Sequence, residues 1–195
     1  PEYFQKSWNN PIADLSSDQR HRVRVFGTWD TPLPKSWGSL SLNVVQAWDT
    51  GLPYGAVGAV ASRNYVTNPG YRVPPSSVTY NYTSPAAFRT EDVWRTDLSL
   101  YYGYRIADAV EVFLSPQLYN VFNNQAIISV NTTVETAVAN GTANYAHFNP
   151  FTTTPVQGAR GTGANWNYGP DFGKPTSPAN YQSTRTFQFS VGLRF

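Results

Sequence analysis

The side chains most often used for catalysis are sparse in this sequence. The two histidines, His21 and His147, lack partners at a metal-ligand spacing such as His-Glu-x-x-His, and we expect neither to be catalytic. The chain has no cysteine, which excludes thiol catalysis, disulfide bonds and cysteine metal sites. No Gly-x-Ser-x-Gly nucleophile elbow occurs among the serines. The sequence therefore predicts a protein that is not an enzyme and that uses no cofactor.

Two short stretches invite a ligand-binding interpretation. Glu91, Asp92 and Asp97 could offer oxygen ligands to Ca²⁺, but we expect them to be solvated groups instead. The stretch Gly158-Ala-Arg-Gly-Thr-Gly163 resembles a phosphate loop, yet it lacks the Gly-Lys-Ser/Thr ending and no helix pattern follows it. We predict a flexible loop there. A net charge of +2 without basic or acidic runs gives no indication of nucleic-acid binding.

Aromatic residues are abundant at 15%, whereas charged residues make up only 13% of the chain, against about 25% in an average soluble domain. Low charge with many Tyr and Trp residues is typical of membrane-interface belts, and also of carbohydrate-binding sandwiches. Nine aromatic residues lie in segments without strand periodicity: Tyr65, Tyr71, Tyr80, Tyr82, Tyr145, Phe148, Trp166, Tyr168 and Tyr181. They could contact a peptide or sugar, but we favour the interpretation that they pack on one another.

Period-two alternation of apolar and polar residues predicts five strands, over residues 20–30, 39–50, 96–106, 110–122 and 184–195. In the first strand, Val23, Val25 and Trp29 share one face, and Phe26 breaks the pattern by lying on the polar face. In the fourth strand, Pro116 predicts a bulge or local break, because proline cannot donate to a ladder.

The last strand has the most regular alternation. Its apolar face carries Phe187, Phe189, Val191, Leu193 and Phe195. An ordinary strand in a soluble protein has about 5–6 residues, whereas a tilted membrane-spanning strand needs about 9–11. The strand therefore fits a membrane span with its apolar face towards lipid and its polar face towards a lumen. An ordinary C-terminal strand of a soluble sheet is the alternative.

The connections between the strands alternate in length: residues 31–38 and 107–109 are short, and residues 52–92 and 123–183 are long. Residues 1–19 are predicted to be a loop. Outer-membrane barrels have short periplasmic turns and long extracellular loops. The predicted fold class is therefore all-β, an antiparallel transmembrane β-barrel segment. No stretch approaches 18 apolar residues, so no transmembrane helix is expected.

Five strands cannot close a barrel, since the smallest known barrels have about 8. An open edge in lipid would leave backbone groups unpaired at several kcal/mol each. We therefore expect the chain to be part of a longer protein whose upstream strands complete the barrel. On the predicted faces, Leu42, Leu100, Leu114 and Val191 point to lipid. Asn43, Ser99, Ser115 and Ser190 point to the lumen.

Six segments, spread in order over nearly the whole chain, resemble the C-terminal end of a TonB-dependent outer-membrane receptor of the Oar-like type, which carries a carboxypeptidase-regulatory-like domain. They are Ser17-Asp-Gln-Arg-His-Arg22, Trp29-Asp-Thr-Pro-Leu33, Thr50-Gly-Leu-Pro-Tyr54, Arg95-Thr-Asp-Leu-Ser99, Leu118-Tyr-Asn-Val-Phe-Asn123 and Tyr168-Gly-Pro-Asp-Phe-Gly-Lys-Pro175.

The resemblance implies that residues 1–195 are the last five strands of a barrel of about 22 strands with a plugged lumen. It implies uptake of a large or scarce ligand across the outer membrane of a Gram-negative bacterium, powered by TonB through a plug and box that lie outside this sequence. The terminal strand, through Phe187, Phe189, Val191, Leu193 and Phe195, resembles the signal read by the barrel-assembly machinery. No ligand-binding residue can be transferred.

Two other classes remain open at this stage. One is a soluble or surface-attached β-sandwich binding module that uses its loop aromatics, and the alternation of connection lengths disfavours it. The other is a different outer-membrane barrel, such as a porin or a protein-secretion barrel.

Overall fold

The computed structural model describes residues 3, 5–68, 70, 72–73, 75–107, 110–138 and 144–195. The helix and strands found within these residues are, in chain order, α1 Lys6–Asn9, β1 Arg22–Asp30, β2 Ser39–Asp49, β3 Pro53–Tyr54, β4 Val57–Val60, β5 Val78–Asn81, β6 Phe88–Arg89, β7 Val93–Ala107, β8 Val110–Tyr119, β9 Val134–Thr136, β10 Trp166–Tyr168 and β11 Thr186–Arg194. The protein is thus nearly all-β, with antiparallel sheets. No helix among the described residues is long and apolar enough to cross a membrane.

The chain forms two compact units. The first, here called the sheet unit, comprises Gln19–Gly51, Glu91–Ile128 and Ala179–Phe195. The second, here called the loop unit, comprises the residues up to Asp18 together with Leu52–Thr90 and Ser129–Pro178.

The sheet unit contains one five-stranded antiparallel sheet with the strand order β1-β2-β7-β8-β11. All five strands predicted from alternation are confirmed, and the largest differences in their bounds are at β7 and β8. β7 begins three residues earlier than predicted, at Val93, and β8 ends at Tyr119 rather than at residue 122. β8 ends there because Asn120 takes a left-handed conformation, with φ of 50°, and its side chain donates to the carbonyls of Asn124 and Ser183.

The register separates the sheet into one apolar and one polar face. Leu42 lies opposite Leu100, and Leu114 lies opposite Val191. On the other face, Asn43 lies opposite Ser99, and Ser115 lies opposite Ser190. The predicted division of these eight residues between two faces is confirmed. Side chains alternate between the two faces along each strand, and directly opposed residues in antiparallel strands point to the same face. The apolar face of one strand therefore continues on its neighbour.

Of the bulge or local break predicted at Pro116, the bulge is absent, but the ladder between β7 and β8 is interrupted there, since neither Ser115 nor Pro116 is paired with β7. Ser99 lies opposite Gln117 and Tyr102 opposite Leu114, so the register is the same on both sides of the proline, and Pro116 itself lies opposite Phe189. The register shift of this strand pair lies instead between Arg105 and Ala107. The proline is accommodated because one missing donor removes one ladder bond without adding a residue.

The two short connections join β1 to β2 and β7 to β8. Residues 31–38 contain a 3₁₀ turn at Lys35–Trp37, and the N–H of Thr31 donates to the carbonyl of Leu40 at 2.9 Å. Of the predicted turn at 107–109, Asp108 and Ala109 lie outside the described residues. β7 ends at Ala107 and β8 begins at its partner Val110, so this connection is short as predicted.

The loop unit is more ordered than the sequence predicted. Three two-stranded sheets pair β3 with β6, β4 with β5, and β9 with β10. Residues 6–9, predicted as loop, form α1. Two hydrophobic clusters hold the unit together: one of Trp8, Val60, Tyr80 and Phe148, the other of Ala56, Val134 and Trp166. The long predicted loops fold because their aromatic residues provide a core, which period-two analysis does not detect.

Candidate membrane-facing sheet

The apolar face of β11 is exposed along its whole length. Phe187, Phe189, Val191 and Leu193 are 64%, 55%, 67% and 57% exposed, and Phe195, directly after the strand, is 90% exposed. The rings of Phe187 and Phe189 lie 6.4 Å apart between centroids. The five residues predicted as an assembly signal therefore form one continuous apolar ridge.

The same face carries further exposed apolar side chains on two other strands. Large hydrophobic side chains with at least two fifths of their surface exposed also occur on the same face of β1 and β7: Val23, Val25, Trp29, Trp94, Tyr104 and Ile106. β1 and β11 are the two edges, and within the described residues they pair only with β2 and β8, so the sheet is open. Large exposed apolar patches are rare in soluble monomers and mark interaction or membrane surfaces.

Aromatic side chains lie near both ends of this face. At the end with long connections, Trp48 stacks on Trp94 with ring centroids 5.5 Å apart, and His21 stacks on Trp48 at 6.2 Å. At the end with short connections, the hydroxyl of Tyr102 donates to the carbonyl of Trp37 at 2.8 Å. His21, which the sequence left without a metal partner, is thus part of an aromatic stack.

One polar pair interrupts the apolar face. Gln46 lies opposite Thr96, and the hydroxyl of Thr96 donates to Oε1 of Gln46 at 2.5 Å. Nε2 of Gln46 also donates to the carbonyl of Ala47 at 3.2 Å, so both side chains are hydrogen-bonded, which lowers the cost of placing them on an apolar surface.

The polar face carries paired charges and hydrogen bonds. Nη2 of Arg24 donates to both carboxylate oxygens of Asp49, at 2.8 and 2.7 Å, and Nε of Arg95 lies 3.0 Å from Oδ2 of Asp97. The hydroxyl of Thr28 donates to Oδ1 of Asn43 at 2.7 Å. Phe26 is 80% exposed on this face, as its position in the alternation predicted.

The three carboxylates proposed as Ca²⁺ ligands do not form a metal site. Glu91 accepts the N–H of Ile127 at 2.7 Å, and Asp92 accepts the N–H of Gly51 at 2.9 Å. Asp97 accepts the N–H of Asn120 at 2.9 Å while pairing with Arg95. They anchor loop backbones; Glu91 and Asp92 are exposed, as predicted for solvated groups, whereas Asp97 is half-buried. Among the described residues, no group of three His, Asp or Glu side chains is arranged to hold a metal ion.

The glycine-rich stretch 158–163, predicted to be a loop, forms a turn with hydrogen bonds to other parts of the loop unit. Gly161 and Gly163 have φ of 77° and 84°, which favours glycine. Arg160 reaches Glu135 of β9 through both Nε and Nη2, and Nε lies 2.9 Å from Oε2. The hydroxyl of Tyr145 donates to the same carboxylate oxygen at 3.1 Å. The Arg160 guanidinium holds the pKa of Glu135 below its usual range, despite an opposing contribution from burial.

The loop aromatics mainly pack on one another, as favoured from the sequence. Tyr80, Tyr145, Phe148 and Trp166 are buried. Ring contacts also include Tyr82, which lies 5.1 Å from Trp166, and Tyr168, which lies 4.4 Å from Phe172. Burial, with a smaller contribution from Tyr80, raises the pKa of Tyr82 well above its ordinary value.

The other members of that set are less enclosed. Tyr65 is half-buried at the end of a 3₁₀ turn, and Tyr181 is 38% exposed in the sheet unit. Tyr71 lies outside the described residues. His147 lies in the loop unit beside a small cavity lined by Tyr82, Thr136 and Asn165, with no carboxylate or second histidine in the lining.

No protein-family model, curated protein or solved structure matches this chain. Its function must be inferred from the sheet and from the side chains that the fold brings together.

Sequence reasoning missed two such groups. Glu135, Arg160 and Tyr145 meet although 25 residues separate the ion pair. Tyr101, Glu111 and Arg194 meet on the polar face, where the Tyr101 hydroxyl donates to Oε1 of Glu111 at 2.5 Å and Nη1 of Arg194 lies 3.6 Å from that oxygen. The polar alternation of β7, β8 and β11 indicated that these three side chains share a face, but it did not indicate the strand register.

Proposed function

We propose that this chain is the C-terminal barrel portion of a TonB-dependent outer-membrane receptor in a Gram-negative bacterium. Its five-stranded sheet would span the membrane with the apolar face in lipid and the polar face towards the lumen. The observation that carries the proposal is an open antiparallel sheet with one apolar face, on which β1, β7 and β11 carry large exposed hydrophobic side chains. A sandwich would bury such a face under a second sheet about 10 Å away.

The dimensions of the sheet support a membrane span. Trp94 and Tyr104 are both exposed on β7 and are ten residues apart. At about 3.4 Å per residue this separation is about 34 Å along the strand. A tilt of about 35–45° reduces it to about 24–28 Å, close to the apolar band of about 25 Å between the aromatic girdles of an outer-membrane barrel.

The unpaired edges of the sheet, β1 and β11, would need partner strands in a membrane. In lipid, the free backbone groups of β1 and β11 would each cost several kcal/mol. Upstream strands of the same receptor would pair with both edges, and a plug with its TonB box would complete the transporter. The segments 52–92 and 123–183 would then lie outside the cell, and the connections 31–38 and 107–109 in the periplasm.

A pair of neighbouring substitutions tests the membrane placement. Val191→Arg should lower the free energy of unfolding in lipid vesicles by about 2–4 kcal/mol if its side chain lies near the bilayer midplane, and Ser190→Arg much less. The two positions are adjacent on β11 and lie opposite Leu114 and Ser115. Equal losses at both positions would exclude a lipid-facing sheet.

The receptor class is tested separately on the full-length protein. A purified periplasmic domain of TonB should bind it, and removal of the TonB box should abolish the binding. Correct membrane insertion without TonB binding would favour a porin or a secretion barrel instead.

A further inference from the structure

A hollow lies on the polar face of the sheet, at the end with the short connections. Its volume is about 330 Å³, and its lining consists of Lys35, Gly38, Ser39, Gly103, Arg105 and Glu111. Lys35 and Gly38 come from the connection between β1 and β2. The remaining residues come from β2, β7 and β8.

The space exists because position 103 has no side chain. A Cβ on Gly103 would lie 2.9 Å from Oε1 of Glu111 and 3.0 Å from Oγ of Ser39. Both contacts are tighter than ordinary packing, so a larger residue at position 103 would occupy part of the hollow and displace the Glu111 carboxylate.

The only carboxylate in the lining is already engaged. Glu111 accepts the hydroxyl of Tyr101 at 2.5 Å and lies 3.6 Å from Nη1 of Arg194. The Arg194 guanidinium is held over two rings, 6.0 Å from the centroid of Tyr101 and 5.9 Å from that of Phe113. Arg105 lies directly opposite Glu111 in the register, yet the ion pair of Glu111 is with Arg194.

Lys35 and Arg105 are two cationic side chains whose hydrogen-bond donors are available within the described part of the chain. Within the described part of the chain, neither makes an ion pair or a side-chain hydrogen bond. Ser39 also lines the hollow, and its hydroxyl donates to the carbonyl of Gly103 at 3.5 Å. The hollow thus has a positive balance of charge, and the available donors are those of Lys35 and Arg105.

We propose that this hollow binds a phosphate group. A guanidinium and an ammonium that line one hollow suit a phosphate, because Arg offers two parallel donors and Lys a point charge. The phosphate could belong to a free anion or to a phospholipid head group, since both present the same oxygens. The site goes beyond the proposed function and does not depend on it.

The test uses the whole chain in detergent micelles, with Ser39→Cys as a reporter in a protein that has no other cysteine. Inorganic phosphate should slow alkylation of this thiol by neutral iodoacetamide, whereas potassium chloride of equal ionic strength should not. A second arm replaces free phosphate with phosphatidic acid in the micelles, against diacylglycerol with the same acyl chains. A thiol at the exposed position Ser17 is the control for general effects on the reagent.

Protection in the first arm indicates a free anion, and protection in the second arm alone indicates a lipid head group. Lys35→Gln and Arg105→Gln should each weaken the protection about tenfold, because each removes a charge-assisted donor to the phosphate. Arg105→Lys should restore part of it. Arg63→Gln, at an exposed position in the loop unit, removes the same charge and should change nothing.

Absence of protection in both arms would overturn the inference, as would an equal loss with Arg63→Gln. Circular dichroism of each variant shows that the sheet has formed. Because the test is done in micelles, its failure leaves the membrane test at Val191 and Ser190 unaffected.

Discussion

At the scale of single residues, the polar face depends on two glycines that flank one ring. Phe113 lies opposite Gly103 on one side and opposite Gly192 on the other. Tyr101 stacks on Phe113 with ring centroids 5.9 Å apart. The Phe113 ring covers Gly192 so closely that no side chain fits there, which explains a glycine in the middle of a strand where it would otherwise weaken the sheet.

Gly192→Ala should destabilise the protein by about 1–3 kcal/mol, as overpacking typically does. The added Cβ would lie 2.5 Å from Cζ of Phe113, so the ring must move. Gly27→Ala on β1 is the matched control, because a Cβ there meets nothing within 4 Å, and its effect should stay within about 0.5 kcal/mol. The measurement is the free energy of unfolding in urea. Equal effects at both positions would contradict the packing argument.

At the scale of elements, one carboxylate ties the two limbs of the connection between β9 and β10. Glu135 of β9 accepts from Tyr145 in the first limb and from Arg160 in the second. Backbone bonds join the same limbs, since the N–H of Gly161 donates to the carbonyl of Asn144 at 2.8 Å. The carboxylate must be ionised to hold both donors.

The connection should therefore loosen in acid. The pKa of Glu135 is lower in the folded state than in the unfolded chain. Its contribution to stability is complete above the unfolded pKa and is lost as the pH falls through the folded pKa. Hydrogen exchange of residues 144–165 should accelerate on acidification over that range, after correction for the intrinsic pH dependence of exchange.

Glu135→Gln is the variant that isolates this effect. It should exchange faster than the parent at neutral pH and show no further acceleration in acid. Tyr145→Phe, which keeps the ion pair with Arg160, should lose less protection and keep the acid dependence. An acid dependence that survives in Glu135→Gln would assign it to another group.

The terminal strand is the second element with a separate role. Its ridge is exposed, and Phe195 lies beyond the last ladder pair, Arg194 with Glu111. In the proposed barrel this ridge must be recognised before lipid can bury it.

In the proposed receptor, deletion of Phe195 should lower the amount of folded protein in the outer membrane several-fold, while the molecules that do assemble bind ligand normally. Burying one Phe side chain contributes only about 1.5–3 kcal/mol, too little to abolish a large barrel. A severe defect would therefore indicate recognition during assembly. Heat-modifiable migration on gels, paired with ligand binding per folded receptor, measures both quantities. A normal yield of folded protein together with weakened ligand binding would indicate that Phe195 acts in binding and not in assembly.

At the scale of the whole molecule, the antiparallel order of the sheet sends its connections alternately to opposite ends. The short connections, β1 to β2 and β7 to β8, lie at one end of the sheet. The long ones, β2 to β7 and β8 to β11, begin and end at the other. In a membrane this difference predicts sidedness.

A membrane-impermeant thiol reagent on intact cells should label a cysteine in the long connections and none in the short ones. Asn140 and Asp108 are suitable positions by sequence, although both lie outside the described residues. Thr154 and Ser36 are exposed positions in the corresponding connections of the described structure. Permeabilised cells should be labelled at every site. If only Ser36→Cys were labelled in intact cells, the topology would be the reverse of the proposed one.

The sequence alone determined the five strands, their two faces and the alternation of connection lengths. Side chains on a strand alternate by local geometry, so Phe187 to Phe195 could be assigned to one face without knowing any neighbour. For the same reason, the position of Phe26 on the polar face was predictable from its place between Val25 and Gly27.

Only the tertiary structure decided which distant residues meet. The pairing of Glu135 with Arg160, the packing of Trp8 on Tyr80, and the hollow between Lys35 and Arg105 depend on the path of the chain and on strand register. Alternation carries no information about either. The tertiary structure also decided that the strand register is the same before and after Pro116. The hydrogen-bonded pairs on both sides of the proline hold the strand in place although one donor is missing.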